Sequence, residues 1–293
     1  MQENHKYNIY MFIATIFFGM TYVLTKICLK YSTEFHIISF RFLIAFVVSL
    51  IFLQKKIFPV KRTEFLYSLL LGALLFLVFI AMTIGVKYTT ATNASFLISL
   101  SVIFIPFFSW FFNKEKPKKR IFVVLIIALI GIILLTLDKN LEFHMGDILC
   151  LICATLFTFY VIMTEKIVKN NNPTALGVLQ FGWVFLFSFL VQYPIESFVI
   201  PKNKFFWLSM VLLGIFCTAF GYIAQTIAQK NLSSTVVGFI LSLEPVFSGI
   251  FGYFFLNEYL SFQQYIGAFL LLISVIYVSV KISLFYFKIY FLQ

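Results

Sequence analysis

The chain is expected to fold as an all-α integral membrane protein, with ten transmembrane helices forming two inverted five-helix repeats. Three observations predict this. Hydrophobic residues make up 62% of the sequence and charged residues only 11%, with a mean hydropathy of +1.01. A soluble domain of this length has no room to bury so much apolar surface. The second observation is run length. In lipid only helices and closed barrels satisfy their backbone groups. Barrel strands alternate apolar and polar residues over about ten positions, whereas this chain has apolar runs of about twenty, such as Leu66–Val86 and Ile121–Leu137. The third is a duplication. At a constant offset of 143, residues 87–115 and 230–258 share ten identities in twenty-nine positions, where composition alone gives about 3. The identities include Lys87/Lys230, Thr92/Thr235, Ser99/Ser242, Phe104/Phe247 and Glu115/Glu258. An internal repeat in a hydrophobic chain marks a two-fold transporter architecture.

Taken in order, the first span is Tyr7–Lys26, which follows Lys6 and lacks an A-x-A-like cleavage site, so it is read as a retained helix. Phe35–Gln54 and Phe65–Gly85 follow, with Pro59 between them. Thr89–Phe112 holds the first copy of the repeat, and Pro117 separates it from Arg120–Leu137. The second half opens with Gly146–Glu165. Asn170–Pro173 punctuates the chain before Thr174–Tyr193, and Pro194 and Pro201 lie before Phe205–Ala228. Leu232–Leu256 holds the second copy, and Gln264–Lys281 closes the set. The two repeats are thus 7–137 and 146–281. Five is odd, so the second repeat enters the membrane from the opposite side, and inverted halves rocking around a midplane site are the usual basis of alternating access.

Net charge is +11. The lysines sit in short loops between apolar runs, so they are read as topogenic, with no nucleic-acid partner expected. With the N-terminus in the cytoplasm, the inner segments hold fifteen basic residues and the outer segments six. That places both termini in the cytoplasm of a multi-pass protein of the inner (plasma) membrane. Cys28, Cys150, Cys153 and Cys217 lie in or beside apolar segments and are read as small apolar filler. The Cys150-x-x-Cys153 pair has no second pair or His cluster to complete a metal site, and no G-x-x-x-x-G-K-[ST] is present, so neither a metal nor another cofactor is expected.

Leu243-Glu244-Pro245-Val246, then Leu256-Asn257-Glu258-Tyr259-Leu260-Ser261, then Ile266-Gly267-Ala268 and a final apolar helix resemble the end of an EamA-type repeat. In the first half Phe18-Gly19 leading to Lys26, and Ser39-Phe40-Arg41-Phe42-Leu43, agree with the same pattern, although many relatives carry Trp-Gly in place of Phe18-Gly19. The chain is similar over about residues 7–281 to the drug/metabolite transporter superfamily. That resemblance implies a secondary transporter with a central cavity for a small metabolite, such as an amino acid or nucleobase. Its partners would be the lipid bilayer, the substrate, and a coupling proton, cation or counter-substrate. The cross-class alternatives are an integral-membrane enzyme and a non-transporting scaffold. The eleven acidic residues are too scattered for a Mg²⁺ cluster, and the loops are short.

Glu244 leads the candidate site residues, because a carboxylate near the middle of a span faces a cavity or a partner. Its repeat mate is Ser101, so the fold does not demand charge there. Pro245 removes a backbone hydrogen bond and is expected to kink the helix. The carbonyl it releases, beside a carboxylate, suits a proton, a cation or a substrate amine. Arg41, about two turns into the second span, must snorkel, pair, or bind a substrate carboxylate or phosphate. Tyr22, Asn93, Ser99, Trp183, Tyr222, Gln225 and Ser242 are the uncharged residues expected to line a cavity, where aromatic rings stack planar metabolites or hold organic cations. Glu115 and Glu258 close the two copies and are expected to cap or pair with nearby loops. Ser248-x-x-x-Gly252 and Gly249 suit close helix contact, within the chain or in a homodimer.

Overall fold

A computed structural model describes residues 2–113, 126–127, 130–131, 133–134, 144–195, 200–270 and 272–273. Regular structure among the described residues is helical throughout. The first half contains α1 (Gln2–Cys28), α2 (Glu34–Ile57) and α3 (Arg62–Tyr88). The second contains α6 (Met145–Val168), α7 (Pro173–Ile195) and α8 (Lys204–Leu212), which runs through π-helical turns at Leu213–Phe220 into α9 (Gly221–Gln229). Among the described residues, six helices, counting Lys204–Gln229 as one, are long and apolar enough to cross a membrane. Most of the fifth expected span, the end of the tenth, and Glu115 lie outside the described residues.

The fourth and ninth spans are not the continuous helices that their hydropathy predicts. The fourth is α4 (Ala91–Ile98) followed by α5 (Ser101–Asn113), and the ninth is α10 (Ser234–Leu241) followed by α11 (Glu244–Leu256). The offset of 143 carries every bound of the first pair onto a bound of the second. Both breaks have the same cause, a tightening of the ladder to three-residue reach. Leu100 N–H bonds Leu97 O at 3.2 Å and Leu243 N–H bonds Ile240 O at 3.2 Å. One turn on, Ile103 N–H bonds Leu100 O at 2.9 Å and Val246 N–H bonds Leu243 O at 3.1 Å. Pro245 therefore does not create the break, since the first copy breaks with Val102 at the matching place. Val102 does give its N–H to Ser99 O at 3.0 Å, and Pro245, having no N–H, cannot repeat that bond.

The two halves share one apolar core, with buried side chains of α1 to α5, α6, α7, α9 and α10 in a single cluster, while Phe206 and Met210 of α8 pack in a second cluster with α1, α2 and the π-helical turns. α3 packs on α6 and α7, α2 on α7 and the π-helical turns, and α1 on both α9 and α11. Two glycines set the position of α11. A Cβ on Gly19 would stand 2.6 Å from Phe247 Cβ and 2.9 Å from Glu244 O, so α1 crosses α11 at the Glu244 turn. A Cβ on Gly252 would meet Thr92 Oγ1 at 2.7 Å, and Ser248 Oγ bonds Ala91 O at 3.4 Å, so α11 also lies against the start of α4. The small-residue motif is thus used within the chain. α11 ends where α4 begins, so the two copies of the repeat run antiparallel.

Charged side chains fasten the helix ends. Glu258 takes the N–H groups of Ala91 and Thr92 at 2.9 and 3.0 Å and the Thr92 hydroxyl at 2.7 Å, capping α4 from beyond the end of α11. A carboxylate there satisfies orphan donors and meets the positive end of the helix dipole. Glu165 takes Ser234 N–H at 2.7 Å at the matching start of α10. Lys26 bonds the carbonyls of Val86, at 2.7 Å, and Thr89 at the far end of α3, where the dipole favours a cation.

Candidate functional site

Between the halves lies a cavity of about 30 Å³, enough for one or two waters. Four of the expected site residues line it together: Tyr22 on α1, Arg41 on α2, Tyr222 on α9 and Glu244 at the start of α11. Ile98, the last residue of α4, lines it too, so the broken ends of both copies reach the same space. Half-helix ends meeting a central cavity are how many transporter folds build a binding site, because the unwound turns offer backbone groups and dipole ends to a ligand.

The two charges of the cavity are held differently. The Tyr22 side chain interacts with the Glu244 carboxyl, and both line the cavity. Glu244 stands at the first position of α11, a favourable place for a carboxylate, and Pro245 follows where its missing N–H costs nothing. Arg41 is 1% exposed. Its Nε–H donates to Thr218 Oγ1 at 2.5 Å, its Nη2 lies 3.4 Å from Thr21 Oγ1, and the guanidinium sits over the Phe79 ring, 4.5 Å from the centroid. Among the described residues no carboxylate pairs with it, and its Nη1 has no partner. A buried charge held only by hydroxyls and a ring face leaves a penalty of several kcal/mol that a ligand anion would relieve.

Aromatic rings form the walls. Tyr222 stands 5.0 Å from Phe18, 5.8 Å from Phe79 and 6.0 Å from Tyr160, centroid to centroid. Gly221 makes this possible, since a Cβ there would lie 2.5 Å from the Phe18 ring.

The sequence repeat thus reappears as two matched, antiparallel helix pairs around one cavity, and comparison with known families agrees with a transporter. The model of the EamA-like transporter family matches residues 5–137 and again 144–280. The chain belongs to the EamA-like transporter family. It is accordingly a multi-pass membrane transporter. An uncharacterized transporter of Archaeoglobus fulgidus is 32% identical over 273 residues, which is 92% of this chain and 84% of that protein. The uncharacterized transporter YetK of Bacillus subtilis is 25% identical over 262 residues, 85% of this chain and 79% of YetK. A solved crystal structure superposes with a TM-score of 0.71 at 17% identity, covering 94% of this chain and 97% of the other, a likeness of fold.

In this EamA-like transporter the other five candidate residues sit away from the cavity wall. Trp183 anchors α7 to α3: its indole N–H donates to Ser68 Oγ at 3.1 Å, and Gly72 leaves room for it. Gln225, fully buried on α9, donates to Gln229 Oε1 at 3.3 Å. Asn93 lies in the first turn of α4, where its N–H is taken by Thr90 Oγ1 at 3.0 Å. Ser99 and Ser242 occupy the two breaks, and Ser99 Oγ donates to Phe96 O at 2.6 Å. Mid-span polarity alone does not say which face of a helix a side chain occupies. The cavity also uses residues that carry no polar signal, Phe79 and Met82 on α3 and Phe157 on α6. Thr218, which holds Arg41, is placed by π-helical turns that have no sequence signature, although Gly214 beside it marks close approach: a Cβ there would lie 2.6 Å from Ile44.

Proposed function

We propose that this transporter carries a small metabolite, such as an amino acid or nucleobase, by alternating access around the Arg41–Glu244 cavity. The observation that supports the reading most directly is that two oppositely charged groups, one from each half, line one space where the broken helices end. Repeats 7–137 and 146–281 are the two rocking units, and Glu244 is the group that takes the coupling proton or cation. Both termini lie in the cytoplasm, and the protein resides in the plasma membrane. The cavity is too small for a metabolite as it stands, so loading requires the halves to part.

The test is uptake by sealed proteoliposomes of labelled amino acids, nucleobases and nucleotide cofactors, with and without an imposed pH gradient. Gradient-stimulated accumulation of one class by the wild type, lost in Glu244→Gln, is the expected result. Normal gradient-driven flux in Glu244→Gln overturns the coupling role. Folded, inserted protein that moves none of the panel counts against these substrate classes and raises the enzyme and scaffold readings, which turnover across a sealed membrane separates from transport.

A further inference from the structure

We infer that the substrate of this transporter carries an acidic group, a carboxylate or a phosphate, that docks on the Arg41 guanidinium, with Thr218 as the residue that positions it. The inference rests on the cavity being the transport site and adds the chemistry it selects. Arg41 lines the cavity, yet its charge has no acidic partner among the described residues, and its Nη1 is buried and unpartnered. Glu244 lines the same cavity but is engaged with Tyr22 instead. The donors of the guanidinium are therefore divided. Nε–H is fixed on Thr218, one face is covered by Phe79, and Nη1 together with the loosely held Nη2 forms a two-pronged edge. That fork matches the paired oxygens of a carboxylate or phosphate, a fit that a Lys ammonium cannot reproduce.

Thr218 owes its orientation to the π-helical turns. Its hydroxyl has one proton and gives it to Leu213 O, five residues back, at 2.8 Å. A lone pair is then left for Arg41 Nε–H at 2.5 Å. In an ordinary α-helix a threonine hydroxyl reaches back three or four residues, so the wider turn aims Thr218 at α2. Gly214 brings the segment close enough, because a Cβ there would also stand 3.2 Å from Arg41 O. The helix carrying Thr218 and the helix carrying Arg41 belong to different halves, so the docking edge holds its shape only while those helices stay together.

Thermal unfolding of the purified protein in detergent tests this directly. The aromatic walls suggest the probes: 3-phenylpropanoate, L-phenylalanine and phenyl phosphate, set against 3-phenylpropanamide and phenethylamine. At least one acidic probe is expected to raise the melting temperature of the wild type, while the amide and the amine do not. Arg41→Lys should weaken that probe at least tenfold, and Thr218→Val about tenfold, the value of a hydrogen bond to a charged group. Thr218→Ser, which keeps the hydroxyl, should bind like the wild type, a rescue that a merely structural role for the side chain does not predict. The unliganded melting temperature of each variant serves as the fold control. Stabilisation by no acidic probe, equal stabilisation by the amide or amine, or undiminished binding of acids to folded Arg41→Lys overturns the inference. Flux measured in parallel keeps the two readings apart. Acids that bind through Arg41 but never cross leave the docking edge standing and overturn the claim that its ligand is the transported substrate. Neutral compounds that cross while acids fail to bind overturn the docking edge and leave the transport role standing.

Discussion

Inside an apolar bundle, each ionisable side chain must find compensation within a few ångströms. Glu244 has Tyr22 and the start of α11, whereas Arg41 has two threonine hydroxyls and the Phe79 face. Neither arrangement is the cheapest way to pack a core, and Ser101 shows that the matching position of the repeat does without charge. Replacing Glu244 with Gln keeps size and hydrogen bonding but fixes the group in a neutral state. It should leave the unfolding free energy within about 1 kcal/mol of wild type while gradient-driven uptake disappears. Removing the Tyr22 hydroxyl, as Tyr22→Phe, leaves Glu244 without that partner and should reduce uptake less than Glu244→Gln does, as initial rates will show. Arg41 and Glu244 were legible in the sequence because charge within a twenty-residue apolar run is conspicuous. Phe79 and Thr218 were not, because nothing distinguishes one Phe among forty-one, or one Thr, until the helix faces are known.

Among the elements, the broken helices explain most. Hydropathy reports length and apolarity but is blind to whether the hydrogen-bond ladder reaches back three residues or four. The duplication at 87–115 and 230–258 was therefore readable, and the breaks within it were not. Pro245 looked like the origin of a kink, yet Val102 occupies the same place in an equally broken helix. The capping expected of Glu258 is realised on α4, a helix of the other copy. Glu258→Ala should cost about 1–2 kcal/mol, seen as a lower melting temperature, and Glu258→Gln less, because one acceptor oxygen remains. Gly19 is where α1 and α11 come too close for any side chain, since a Cβ there would lie 2.6 Å from Phe247 Cβ. Gly19→Leu should push the two apart, destabilising by about 1–3 kcal/mol and lowering flux, since Glu244 lies on the same turn.

For the molecule as a whole, the five-plus-five arrangement makes a prediction that needs no substrate. Single Cys probes placed near Lys116 and near Glu258 should react with a membrane-impermeant thiol reagent from opposite sides of a sealed vesicle. Labelling of both from one side would refute the inverted topology. The antiparallel lie of α4 and α11 supports that topology, and the proposed direction, with both termini in the cytoplasm, follows the ratio of basic residues in the loops.

The two breaks are geometric twins with unlike chemistry: Ser101 and Val102 stand in one copy where Glu244 and Pro245 stand in the other. In the proposed alternating-access cycle, chemically identical copies would make the inward-open and outward-open shapes two-fold-related solutions of equal free energy, populated half and half. Each residue by which the copies differ tilts that balance, and a proton or ligand arriving at one member of a mismatched pair tilts it again. An ancestor with the same residue in both places would have been a see-saw without a weight. Under the proposed alternating-access reading, the mismatch at 101/244 is such a weight, and it gives the cycle a resting side.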